Sequence, residues 1–225
     1  MDRPPIELNT FHHIYNRGVD KRKVFMDDKD RKLFLKYLNI LNDQDADSPS
    51  RLNVAEEPES QPGRNRLTDI VCFCLMDNHF HFLLHESFAG GISKFMQRLG
   101  TAYTLYFNEK YERSGALFQG RYKSKEIDDE NYLMGVVDYI HCNPTKPSSK
   151  DVGDKKEYRI RNSESDLGRL EKYRWSSFHS FCNRGEYDAL VNPEVLKDYL
   201  EMPKDYRQWL REEHDLEDGR DYLID

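Results

Sequence analysis

The feature that most restricts the fold is a pair of apolar runs, Leu67–Met76 and His79–His85, separated only by Asp77-Asn78. Runs of this length, rich in Val, Leu, Phe and Cys, read as central strands buried on both faces. They form either one long strand or two strands joined by a tight connection. The flanking sequence supplies partners for them. Phe11–Asn16 is a short β-rich run ended by Arg17-Gly18. Asp27–Leu41 starts with acids and places Leu33, Phe34, Tyr37, Leu38 and Leu41 at helical spacing. Gly90-Gly91 breaks the chain before a long amphipathic helix over Ile92–Lys110. Ala116–Ile127 reads as a strand with alternating Arg121, Lys123 and Lys125, and Asp128–Cys142 as a helix stopped by Asn143-Pro144. Residues 147–169 are polar and read as loop, and the tail from Tyr173 as short helices around WSSFHSF. The order β-α-β-β-α-β-α is that of a ferredoxin-like α+β sandwich, an antiparallel sheet with helices on one face, plus an extra helix.

Charge narrows the partners. The 225 residues hold 34 Lys and Arg against 41 Asp and Glu, a net charge of −7, which argues against a protein that grips nucleic acid by bulk positive charge. The distribution is polarised, however. Residues 11–38 carry eight basic residues against four acidic, and residues 93–126 seven against three. Acid is concentrated in 43–67, which reads as a flexible surface insertion, and in 199–225. No stretch reaches the roughly 20 apolar residues of a spanning helix, so no membrane partner is expected. The start MDRPPIEL has no apolar core of a secretory signal. Cys72, Cys74, Cys142 and Cys182 form no CxxC pair and are expected to be buried reduced thiols in a cytoplasmic protein.

Three groups of residues could carry chemistry. In a strand, His79 and His81 emerge on one face about 6.6 Å apart along the chain, while Phe80 and Phe82 point to the other. Two such imidazoles can chelate a divalent ion; half-buried histidines bonded to the backbone would show the same pattern. On a helix, Tyr139 and Asn143 share a face at i, i+4. That places a phenol beside an amide oxygen able to act as a hard ligand, although a surface tyrosine and a capping asparagine before proline would look alike. Lastly, Arg121-Tyr122-Lys123 and the loop Arg17–Lys23 (Arg17, Lys21, Arg22, Lys23) could hold phosphates, with Tyr122 or Phe118 as a stacking platform. A solvated strand face is the plain alternative.

FHHIYNRGVDKRKVF, CLMDNHFHFLL, YTLYFNEKYERSGALFQGRYKS, YIHCNP and YRWSSF occur in the order and approximate spacing of the REP-associated tyrosine transposases. The chain therefore resembles that group, part of the single-tyrosine HUH (His-hydrophobic-His) transposases, over about residues 8–182. Residues 183–225 stand outside the resemblance as an acidic helical extension. Asp77 stands where such proteins often have proline before Asn-His. The resemblance implies a divalent ion, Mg²⁺ or Mn²⁺, held by His79, His81 and Asn143, with Tyr139 as nucleophile toward single-stranded or hairpin DNA and no nucleotide cofactor. It implies nicking and joining through a 5′-phosphotyrosine. A non-catalytic single-stranded nucleic-acid binder on the same scaffold is the rival reading, and monomer versus homodimer stays open. His141 neighbours Tyr139 but points about 200° away on a helix, which argues against it as the base.

Overall fold

The computed structural model describes residues 5–45, 65–145, 164–182 and 185–212. Four strands form one antiparallel sheet: β1 (Phe11–Arg17), β2 (Asp69–Met76), β3 (His79–His85) and β4 (Lys123–Ile127), in the order β2-β3-β1-β4. That order, with α1 (Asp28–Ile40) between β1 and β2 and α2 (Gly91–Lys110) between β3 and β4, is the ferredoxin-like arrangement. The two apolar runs are thus separate strands joined by the tight turn at Asp77-Asn78, paired from Met76↔His79 to Asp69↔His85 with one irregularity between Ile70 and Cys72.

Alternation along the strands divides the core in two. Ile14, Phe73, Leu75, Phe80, Phe82 and Leu84 point to the α1/α2 side, where they meet Phe34, Leu38, Phe95, Leu99 and Tyr103. Burying each large apolar side chain contributes about 1.5–3 kcal/mol before entropy is counted. On the α1 side the start is fixed by a capping box: Asp30 N–H donates to Asp27 Oδ1 (2.9 Å), while Asp30 Oδ2 accepts from the backbone of Met26 (2.7 Å) and Asp27. The same buried Asp30 ties α1 to the end of α2 through Lys110 Nζ (2.6 Å), Tyr106 OH and Tyr111 OH (both 2.8 Å).

The opposite sheet face is covered as well. Phe11, Cys72, Cys74, Leu83 and Ile127 pack there against α3 (Leu133–His141), α4 (Glu164–Lys172), α5 (Phe178–Phe181) and α6 (Tyr206–Arg211). The single helix expected beyond the sandwich is therefore the first member of a second layer. Part of the stretch read as loop is helical: α4 begins at Glu164, with Leu167 and Leu170 at i, i+3 buried in this core. Residues 185–212 belong to the same two cores, Tyr187 and Val191 to the first and Leu196, Tyr206 and Leu210 to the second. The insertion 43–67 lies largely outside the described residues; its two ends meet in an Asp43↔Arg66 bridge. All four cysteines are buried thiols. Among the described residues no helix is long and apolar enough to cross a membrane.

The strand read over Ala116–Ile127 is shorter than its apolar-basic alternation suggests. Lys123–Ile127 forms the strand, paired with β1, and Phe118 makes an isolated bridge to Gly18. Gly120, at φ 123°, takes a conformation that side-chain-bearing residues avoid and ends the extended run. Residues before it cross the end of β1 through Val19 N–H to Leu117 O, Gln119 N–H to Arg17 O (both 2.9 Å) and the Asn16 amide to Gly120 O (3.1 Å).

Candidate active site

Register brings the sequence-predicted residues to the face that α3 covers. β1 and β3 pair Arg17↔His79, Tyr15↔His81 and His13↔Leu83, and β1 and β4 pair Tyr15↔Lys123 and His13↔Lys125. Directly paired residues share a face, so His79 and His81 stand with Arg17, Tyr15, His13, Lys123 and Lys125. Tyr139 meets them from α3. Its ring is 1% exposed and lies edge-on to His81 (centroids 5.6 Å apart) and to His13 (5.5 Å).

Each strand histidine has one ring nitrogen anchored. His79 Nδ1 is 2.6 Å from Asn78 Oδ1, and His81 Nδ1 is 2.9 Å from His13 Nε2. With Nδ1–H donated to these acceptors, Nε2 of both rings is the nitrogen presented for ligation, the anchoring that metal-binding histidines use. For His81 this requires His13 to accept through Nε2 and carry its own proton on Nδ1. Among the described residues no group of three or more His, Cys, Asp or Glu converges as a metal site. The third donor that the resemblance implies, the neutral amide of Asn143, sits buried just after α3. In the structure that amide nitrogen donates to Tyr139 O (2.9 Å), the backbone of the tyrosine rather than its hydroxyl. Two imidazoles and an amide oxygen suit a hexacoordinate hard ion that keeps waters or phosphate oxygens in its remaining positions.

His13 and Tyr15 were missed in the sequence. Tyr15 stacks on His81 (5.8 Å, 21°), and His13 stacks on it at 5.1 Å. Their i, i+2 spacing in FHHIYN shows that they share a face, but not which strand they meet.

The basic residues divide. Lys123, exposed on β4, has its ammonium 5.6 Å from the Tyr15 ring centre. Arg17 faces the site beside half-exposed His79. Lys23 is 2.8 Å from Asp77 Oδ2, and Arg31 also binds Asp77. Asp77, in place of the common proline, is therefore an ionic tie from α1 to the turn that presents His79. Arg22 lies 3.9 Å from Asp20, while Lys21 O accepts from the Asn78 amide (3.2 Å). Arg121 is exposed at the bend before β4. Tyr122 and Phe118, read as stacking platforms, do not stand beside the histidines: both pack on the α1/α2 core, Phe118 against Phe80 and Tyr103, and Tyr122 OH lies 3.3 Å from Ser93 Oγ.

His141 points away from the site, as its helical angle requires. It is buried between Tyr206 OH (Nδ1, 3.0 Å) and Ser177 Oγ (Nε2, 2.9 Å). Burial, and then the neighbouring His179, lower its pKa to about 3, so it is neutral at physiological pH. Burial, followed by Asp138, holds the Tyr206 phenol well above its ordinary value, so it is a donor and not an anion.

The sheet and α3 thus bring paired histidines and a helix-borne tyrosine together in one candidate site. Residues 62–143, which include β2 through Asn143, match the family described as transposase IS200 like. The motif resemblance and this match agree, and the matched segment contains His79, His81, Tyr139 and Asn143. Among solved structures, a REP-associated tyrosine transposase bound to a REP hairpin is similar to this chain at a TM-score of 0.45 and 13% identity, covering 87% of this chain and 92% of that one. No curated protein matches the chain.

Proposed function

We propose that the protein is a metal-dependent, single-tyrosine transposase that nicks and rejoins single-stranded, hairpin-forming DNA. The observation that carries this reading is the edge contact of the Tyr139 ring with His81, within a segment matching a transposase family. His79 and His81, with Asn143, would hold a divalent ion, which when bound would act as a Lewis acid toward a phosphate oxygen. Tyr139 supplies the nucleophile. Its oxygen loses a proton and attacks phosphorus, the bond to the 3′ oxygen breaks, and that oxygen takes a proton. The products are a 5′-phosphotyrosine and a 3′-hydroxyl. Reversal with another 3′-hydroxyl rejoins the strand without a nucleotide cofactor. Arg17 and Lys123 stand on the same face to meet the DNA backbone, and the half-exposed His79 end is where DNA enters.

The test is incubation with labelled hairpin-bearing single-stranded DNA and Mn²⁺, read as a covalent adduct on a denaturing gel. The wild type should form it, and Tyr139→Phe should bind DNA without it. His79→Ala or chelation should also abolish it. An adduct that persists in Tyr139→Phe overturns the assignment of the nucleophile. Wild-type binding with no adduct under any metal would favour the non-catalytic binder.

A further inference from the structure

The motifs YRWSSF and YIHCNP contain residues that the proposed chemistry does not use. Ser177 and His141 from these motifs, together with α6, build one buried hydrogen-bonded chain behind the tyrosine helix. Phe73 N–H of β2 donates to Ser177 Oγ (2.8 Å), and Ser177 Oγ lies 2.9 Å from His141 Nε2. His141 Nδ1 is 3.0 Å from Tyr206 OH, which donates to Asp138 Oδ1 (2.8 Å). The other oxygen, Asp138 Oδ2, accepts from Trp209 Nε1 (3.0 Å).

The donor inventory orders these bonds in one direction. Tyr206 has a single hydroxyl proton and gives it to Asp138, so its oxygen accepts from His141 Nδ1–H. A neutral imidazole protonated on Nδ1 accepts at Nε2, so Ser177 donates there and receives the Phe73 amide. The alternative Ser177 Oγ contact to Phe73 O, at 3.3 Å, is the longer one. Every link fixes the next. Asp138 is 1% exposed and immediately precedes Tyr139, about 100° round the helix from it. One side of α3 is thus bonded to α6 while the other presents its phenol to His81.

We infer that α6 is a brace for the nucleophile: Tyr206 and Trp209, acting through Asp138 and His141, are positioning residues that set where Tyr139 stands relative to the strand histidines. This rests on the nicking reading above, and the experiment separates the two. Tyr206→Phe and Trp209→Phe are compared with wild type for hairpin DNA affinity, and for the first-order rate of adduct formation at saturating DNA and Mn²⁺. A misplaced reacting atom costs rate without costing affinity. The expected result is an adduct rate about tenfold lower or more, with affinity for the hairpin unchanged within about twofold. A role confined to stability would lower the melting temperature but leave the rate per folded molecule at the wild-type value, and that result overturns the inference. Trp209→Phe, which leaves the Tyr206–Asp138 bond in place, carries the test if Tyr206→Phe does not fold. If the wild type itself makes no adduct, the nicking reading falls and this inference with it. If the wild type makes adduct and both folded variants match its rate, only the brace is refuted.

Discussion

Ser176 and Ser177 are adjacent, both buried, and chemically identical, yet the structure predicts different consequences for removing their hydroxyls. β2 is an edge strand, and the Trp175–Ser177 segment covers its outer side through Leu75 N–H to Trp175 O (2.9 Å) and Ser177 N–H to Phe73 O (3.0 Å). These backbone bonds survive substitution by alanine. What Ser177→Ala removes is the oxygen that accepts the Phe73 amide at 2.8 Å and contacts His141 Nε2 at 2.9 Å, in an apolar layer without exposed alternatives. A buried polar group left unsatisfied costs about 1–3 kcal/mol. Two such groups, less the relief of no longer desolvating the hydroxyl, give about 2–4 kcal/mol. For a chain of this size that corresponds to a melting temperature lower by roughly 4–16 °C. Ser176 Oγ accepts only a long contact from Phe178 N–H (3.4 Å), so Ser176→Ala should cost less than about 1 kcal/mol. Circular dichroism melts and urea midpoints of the two variants measure the difference directly. Equal shifts, or a Ser177→Ala loss below about 1 kcal/mol, would refute the claim that this hydroxyl joins the sheet edge to the tyrosine helix.

Two further predictions concern the α1/α2 side. Burial opposes the charge of Asp30, but hydrogen bonds from Lys110, Met26, Tyr111 and Tyr106 outweigh it and hold the carboxyl below its ordinary value. The unfolded chain therefore takes up this proton first. Stability from Asp30 is complete above pH about 4 and is lost as pH falls through the folded value. Asp27 and Asp69 are also held below their ordinary values, so acid titration of urea midpoints should show a shallower slope in Asp30→Asn than in wild type, and an identical slope in both would remove Asp30 as a source. At the start of α2, a Cβ on Gly91 would stand 1.7 Å from Leu67 O, a backbone atom that cannot yield, whereas one on Gly100 meets nothing within 4 Å. Gly91→Ala should therefore destabilise by several kcal/mol or block folding, while Gly100→Ala should stabilise by about 0.5–1 kcal/mol, both read by thermal melts.

The sandwich was legible because its signals are local. Apolar runs of strand length and acids at a helix start each depend on neighbours in sequence, and α1 and α2 begin and end within a residue or two of their expected bounds, while the choice between one long strand and two, open in the sequence, is settled by the pairing across Asp77-Asn78. The alternation of HFHFLLH put His79 and His81 on one face, and helical angle correctly turned His141 away from it. Long-range pairing was not legible. His13 and Tyr15 enter the site only through the β1–β3 register, and Tyr122 lies on the other face because it alternates with Lys123, which the β1–β4 register puts beside Tyr15. The second layer was hidden for the same reason: Asp138 looks like a surface acid on an apolar helix until Tyr206 and Trp209 arrive from about 70 residues away.

The same distinction reorders the basic residues. By sequence, the loop Arg17–Lys23 and the stretch Arg121–Lys123 are equivalent clusters in a chain of net charge −7. In the structure, Lys23 and Arg31 share Asp77, and Arg22 has Asp20 nearby. Exposed pairs are worth only about 0–1 kcal/mol, so these bonds do not immobilise the lysine, but each leaves a carboxylate where a phosphate would have to approach. On the β1–β4 side the cations have aromatic and imidazole neighbours instead: Lys123 stands over Tyr15, Lys125 pairs in register with His13, and Arg17 with His79. A ring face attracts a cation without cancelling its charge. Arg17 and Lys123 therefore stand on the histidine face with no carboxylate paired to them in the register, whereas Lys23 is tied to Asp77 in the turn before His79 and Arg22 lies beside Asp20.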